Sequence, residues 1–189
     1  ATMVNPMETM IVVTGGEPLL RTDLELVGAE LHRRHFPWGM VTNGYLLSQQ
    51  RLESLILAGL QAITISLDGF EQSHNWLRGI DDSFFRATNA IARVAKTSVL
   101  FDVVTCVNRH NFSELEQMRL LLIQLGVTRW RLFTIFPIGR AALNDELNLS
   151  DIQFRQLFNM IQEWRKQPQL HISYGCEGFL GNFEAEVRD

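Results

Sequence analysis

The residue pattern of this chain predicts a parallel α/β fold, and three observations carry that expectation. Short, nearly continuous apolar runs recur along the sequence, as in strands covered on both faces. Stretches with apolar residues on one helical stripe separate them. Helix start and stop residues fall at the borders between the two.

In order, strands are expected at residues 10–14, 39–42, 62–67, 100–106, 131–135 and 170–174. Helical stripes lie between them: Leu24, Val27 and Leu31; Leu52, Leu55 and Ile56; Phe84, Ala87, Ile91 and Val94. Two more follow, Leu115, Met118, Leu122 and Leu125, then Phe154, Leu157, Phe158, Ile161 and Trp164. Thr22 with Glu25, Asn111 with Glu114 and Ser150 with Gln153 have the spacing of capping boxes. Gly59 and Gly126 stand where helices should stop. The sum is five βα units and a sixth strand, with connections short enough for right-handed crossovers. Periodicity leaves both a doubly wound sheet and a barrel open.

Composition excludes several classes. At 189 residues the chain is one domain or a large piece of one. A net charge of −4 gives no footprint for nucleic acid or an anionic membrane. Apolar stretches are short and interrupted, so neither a transmembrane helix nor a secretory signal is expected. Two cysteines, Cys106 and Cys176, do not make a disulfide framework. A cytoplasmic protein is the expectation.

Ligands of parallel α/β folds bind beyond the carboxyl ends of strands. Those positions carry Gly15, Gly16, Glu17 and Pro18; Thr42, Asn43 and Gly44; Ser66, Asp68 and Gly69, then His74 and Arg78; Thr105, Asn108 and Asn111; and Pro137, Gly139 and Arg140. Singly, each has an ordinary reading. Gly15-Gly16 turns the chain and Pro18 opens a helix. Asn43-Gly44 fits a hairpin turn, although the sequence after it lacks strand alternation. Asp68-Gly69 is a common turn pair, His74 a packing histidine and Arg78 a solvated cation.

The ordered set "TGGEPLL", "VTNGYLL", "ITISLDG" and His74-x-x-x-Arg78-Gly79 resembles the barrel of the radical S-adenosylmethionine (SAM) enzymes, from about Ile11 to Arg140. It is most similar to the branch with a C-terminal SPASM-type cluster domain, which includes peptide-modifying and sulfatase-maturing enzymes. The resemblance implies a partial (β/α)6 TIM-like barrel lacking its first βα unit. It implies an iron–sulfur oxidoreductase or maturase that cleaves SAM to a 5′-deoxyadenosyl radical for hydrogen abstraction, with a peptide or protein substrate and an electron donor as partners. SAM's ammonium needs acceptors, which Glu17 and the backbone around Gly15 and Gly16 offer. Its carboxylate needs donors, which Ser66 and Arg78 offer. Pro18, Thr42, Asn43, Asp68 and Asn108 complete the expected cofactor set, with Asp68 ordering its own turn more than touching SAM.

One departure stands out. The family's three-cysteine C-x3-C-x2-C loop is absent, and a [4Fe–4S] cluster needs thiolates. The expectation is a piece of a longer parent that carries the cluster, with residues 1–168 as partial barrel and 169–189 as last strand and linker. No metal ligand is expected in the chain beyond Cys176, a candidate for an auxiliary cluster. Two rival readings remain. One is a degenerate barrel acting as a binding module. The other is a barrel enzyme whose Gly15-Gly16 cradles phosphate, which the charge of Glu17 opposes.

Overall fold

A computed structural model of the chain describes residues 4–136, 138–176, 178 and 180–189, with the side chains of Met7 and Arg140 excepted. Six strands alternate with helices. They are β1 (Ile11–Val13), α1 (Leu24–Arg33), β2 (Trp38–Thr42), α2 (Gln49–Leu57), β3 (Leu60–Ser66), α3 (Glu71–Arg78) and α4 (Ser83–Val94). Then come β4 (Leu100–Val107), α5 (Leu115–Gln124), β5 (Arg129–Thr134), α6 (Asp151–Arg165), β6 (His171–Tyr174) and the short α7 (Glu184–Val187). Each expected strand is present within two residues of its expected ends.

The strands form one sheet in the order β1-β2-β3-β4-β5-β6, with parallel pairing from β1 to β3 and from β4 to β6. Strand order follows chain order without reversal. A doubly wound sheet reverses at a switch point, so this is the winding of a (β/α) barrel. The question that periodicity left open is settled by topology.

The chain divides into two compact units: residues 1–66 with 85–101, and residues 67–84 with 102–189. In the first, Met40, Leu52, Leu55, Ile63, Ile65, Ala90 and Ile91 are fully buried. Trp38 is buried as well, its indole donating to the Ala58 carbonyl at 3.0 Å. In the second, Trp130 stacks on Trp164 with ring centroids 5.8 Å apart and donates to the Thr105 hydroxyl at 2.8 Å. Thr105 passes its own proton to the Leu67 carbonyl at 2.6 Å, so a polar pair inside the core is fully bonded.

Burial alternates along the central strands. In β3, Ile63 and Ile65 are buried while Thr64 and Ser66 are half-buried; in β4, Val103, Thr105 and Val107 are buried while Val104 and Cys106 are half-buried. One face of β3 and of β4 is therefore sealed and the other partly open, whereas β2 is buried at four of its five positions. This differs from the expectation of strands covered on both faces, and the open face carries the residues of interest.

Helix borders follow the expected signals in part. Ser150 and Gln153 make both bonds of a capping box, and Gly59 and Gly126 end helices with φ of 87° and 80°. Thr22–Glu25 makes no box: α1 starts after Asp23, whose carboxylate binds Arg21 at 2.7 Å. Asn111–Glu114 makes none either, because both side chains serve other partners.

Candidate functional site

The rim of the first unit is built around Glu17. β1 ends at Val13, and the chain turns at Gly15 with φ 122°. Pro18–Leu20 then forms one 3-10 turn, with buried Pro18 at its first position and Glu17 as its cap. The α-helix itself starts only at Leu24. The Glu17 carboxylate is held by three donors: Oε1 accepts the Leu19 N–H at 3.0 Å and the Thr42 hydroxyl at 2.6 Å, and Oε2 accepts the Asn43 N–H at 2.8 Å. Thr42 Oγ1 in turn accepts the Gly44 N–H at 3.1 Å, and Asn43 Oδ1 accepts the Tyr45 N–H at 2.8 Å. The tips of β1 and β2 are thus clasped through one carboxylate. A carboxylate takes about four hydrogen bonds, so Oε2 keeps room for one more donor.

Gly15 and Gly16 differ in why they are glycine. Gly15 needs its left-handed backbone. Gly16 has no positive φ, and no atom beyond its chain neighbours lies within 4 Å of where a Cβ would stand. Neither backbone nor packing within the described residues demands glycine there.

Ser66 ends β3 on the open face, half-buried. Among the described residues its hydroxyl has no hydrogen-bond partner, which leaves it free to donate.

The second unit's rim centres on Asp68, which is fully buried. Its N–H donates to His74 Nδ1 at 2.9 Å, and its carbonyl accepts Asn111 Nδ2 at 2.8 Å. Its Oδ1 accepts the Cys106 N–H at 2.8 Å, and its Oδ2 accepts Arg78 Nε at 2.7 Å together with Arg78 Nη2. His74 Nδ1 also lies 3.8 Å from that carboxylate, but a nitrogen accepting a backbone N–H carries no proton, so the two are not an ion pair. Burial holds the imidazole neutral, pushing its pKa down to about 4. His74 is a structural histidine.

The loop after β4 is locked by two asparagines. Asn108 Oδ1 accepts the His110 N–H at 2.9 Å and its Nδ2 donates to the Cys106 carbonyl at 3.1 Å; Asn111 Oδ1 accepts the Asn108 N–H at 2.8 Å. Glu114 accepts the Phe70 N–H at 2.8 Å and the Ser73 hydroxyl at 2.7 Å, fixing the start of α3.

The expected site residues therefore sort by what their polar atoms are doing. Thr42, Asp68 and Asn108 are buried and bonded to protein partners, and those bonds hold the strand ends in shape. Pro18 is buried within its turn. Gly15, Gly16, Asn43, Ser66 and Arg78 keep surface or bonding capacity to offer. Pro137 lies outside the described residues, as does the side chain of Arg140. What the sequence did not disclose is the clasp on Glu17 and the Glu114 anchor, because both pair residues far apart in the chain. The "Asp-Gly" turn followed by polar "EQSHNWLR" was the available signal for α3.

Burial drives the Cys106 thiol up to about 12, and buried Cys176 accepts the Thr134 N–H at 3.0 Å. Among the described residues no three His, Cys, Asp or Glu side chains gather to hold a metal. Among the described residues no helix is long and apolar enough to cross a membrane.

Strands wound in chain order, with glycine and polar residues at their carboxyl ends, define a (β/α)-barrel protein. The sequence model of the Radical SAM superfamily matches residues 4–122, and the chain belongs to that superfamily. The AdoMet-dependent heme synthase of Nitratidesulfovibrio vulgaris is 27% identical over 169 residues, covering 88% of this chain and 46% of that protein. That of Methanosarcina barkeri is 27% identical over 168 residues, covering 88% and 48%. The chain spans less than half the length of these curated relatives. Streptococcus suis SuiB, solved bound to S-adenosylmethionine, matches with a TM-score of 0.73 at 13% identity, covering 90% of this chain and 40% of that one; it has also been solved bound to the precursor peptide SuiA. That likeness shows the fold.

The family's cofactors are SAM and a [4Fe–4S] cluster. The residues present fit SAM: open space faces Gly15 and Gly16, a free hydroxyl stands at Ser66, and acceptors and donors of both kinds lie on the rim. They do not supply the cluster's ligands, since among the described residues no three His, Cys, Asp or Glu side chains gather.

Proposed function

We propose that this chain is the SAM-binding part of a radical SAM enzyme that reductively cleaves SAM to a 5′-deoxyadenosyl radical and takes hydrogen from a tetrapyrrole. The observation that supports the reading is Gly16, a glycine without positive φ that has open space where a Cβ would stand. In this reading the carbonyls of Gly15 and Gly16, with the remaining capacity of Glu17 Oε2, accept the cofactor's ammonium. Ser66 donates to its carboxylate, and Asn43 closes the near edge. Thr42 and Pro18 keep those groups in place. The chain's own part is to bind and orient; the thiolates for the cluster have to come from other polypeptide. An external electron donor is also required.

The tetrapyrrole follows from the curated relatives, which are named heme synthases and match across most of this chain. A peptide substrate and the SPASM branch are supported only by likeness of fold, through the SuiB–SuiA structure, and rank second.

Equilibrium dialysis with labelled SAM tests the binding half. Gly16→Val should weaken affinity at least about tenfold, and Ser66→Ala about tenfold, the worth of a hydrogen bond to a charged group. Both should keep the wild-type melting temperature. Unchanged affinity in both variants removes the rim from SAM binding. For the substrate, SAM turnover by the cluster-loaded enzyme should quicken with an iron porphyrin and not with peptides; acceleration by a peptide alone would reverse the ranking.

A further inference from the structure

In the second unit, β5 turns charged residues to the side away from the helices. Trp130 and Leu132 are fully buried, and Trp130 stacks on Trp164 of α6. The alternation of a strand therefore puts Arg129, Arg131 and Phe133 on the opposite face. On neighbouring β4 that face carries Asp102, whose carboxylate binds Arg131 Nε. The inner faces of barrel sheets are ordinarily filled with branched apolar side chains. An ion pair held partly out of water regains little beyond its desolvation cost, so stability does not account for this one.

The pair is mounted on a fixed base. The Arg131 guanidinium carbon stands 5.8 Å from the centroid of the Phe133 ring, within cation–π range. That ring is seated in turn: a Cβ on Gly175 would lie 2.4 Å from it, so glycine there makes room for the ring. Asp102 and Phe133 thus orient the guanidinium beforehand, which lowers the rotamer entropy it loses on meeting a ligand. The Arg131 side chain is nevertheless 38% exposed against 15% for Asp102, and Phe133 is half-buried. Two residues earlier, roughly 6.6 Å along the strand, stands Arg129. It is exposed, and among the described residues its side chain has no partner. A planar guanidinium, a second cation and an aromatic ring share one open face.

We propose that this face of the second unit is a binding site for carboxylates carried on a planar aromatic ligand. The Arg131 guanidinium, with Arg129 beside it, receives the carboxylates, and the ligand's ring system meets Phe133. The fork of a guanidinium matches the two oxygens of a carboxylate. In taking that ligand to be the tetrapyrrole, the inference rests on the proposed function. The site needs only β4, β5 and the chain just after β6, all within one unit.

Titration of the full chain with coproporphyrin III, a porphyrin with carboxylate side chains, tests the site through the Soret absorbance and needs neither SAM nor cluster. The wild type should bind it. Arg131→Lys should bind at least about tenfold more weakly, because an ammonium lacks the fork while still pairing Asp102. Arg129→Ser alters only an exposed side chain and should weaken binding about threefold. Both should keep the wild-type melting temperature. The tetramethyl ester, compared in the same detergent, should bind wild type and Arg131→Lys alike. Wild-type affinity for the acid in every variant that folds overturns the site and leaves the tetrapyrrole reading standing. Pyrene-1,3,6,8-tetracarboxylate separates the converse case. If it binds, weakened by Arg131→Lys, while coproporphyrin III does not, the site stands and the tetrapyrrole falls. No binding of either probe overturns both.

Discussion

At the scale of single residues, what decides a role is whether the polar atoms are already spent. Glu17 and Arg78 each have partners within the protein and capacity left over, whereas Asn108 and Thr42 are committed inward. His74 shows the consequence for stability. Its folded pKa of about 4 lies below the ordinary 6.5, chiefly through burial. Between those values the unfolded chain takes up a proton that the folded protein refuses, so stability falls as pH drops from about 6.5 to about 4 and this loss ends below that window. The full effect is about 3 kcal/mol. Urea unfolding at pH 7, 6 and 5 should show the decline, and the His74 ring signals should stay unprotonated down to pH 5. A His74 that titrates near 6.5 in the folded protein would contradict its burial. The motif residues themselves were legible in the sequence, since glycine pairs and strand-end carboxylates are local features. Their partners were not, because Glu17 reaches Thr42 and Asp68 reaches Cys106 across long stretches of chain.

At the scale of elements, apolar runs fixed the strands well because burial on the helix-covered face demands them at every second position. α3 escaped notice for the opposite reason: its buried residues are Ser73 and His74, so no apolar stripe announces it. Tertiary bonds to Glu114 and the left-handed Gly79 cap define it instead. The capping boxes divide similarly. Ser150 caps because nothing else competes for it, while Asn111 is drawn to the Asp68 and Cys106 carbonyls. Close packing gives a sharp expectation for α1. A Cβ on Gly28 would stand 2.3 Å from the Trp38 ring. Alanine favours helices by about 1 kcal/mol over glycine, yet forcing that ring aside costs about 1–3 kcal/mol. Gly28→Ala should therefore lower stability in chemical denaturation, and a stabilised variant would mean that Trp38 is not seated as described.

At the scale of the whole molecule, the sheet is wound strand after neighbouring strand, and ligands of such folds bind beyond the carboxyl ends of the strands. The superfamily could be read from the order of four short motifs, whereas the substrate class could not, because no single residue announces it. Hydrogen–deuterium exchange with and without SAM tests the central claim most directly. Saturating SAM should slow exchange in segments spanning residues 13–18 and 64–68 and leave α6 unchanged. Protection confined to other segments, or none at any concentration, would contradict a cofactor seated against Gly16.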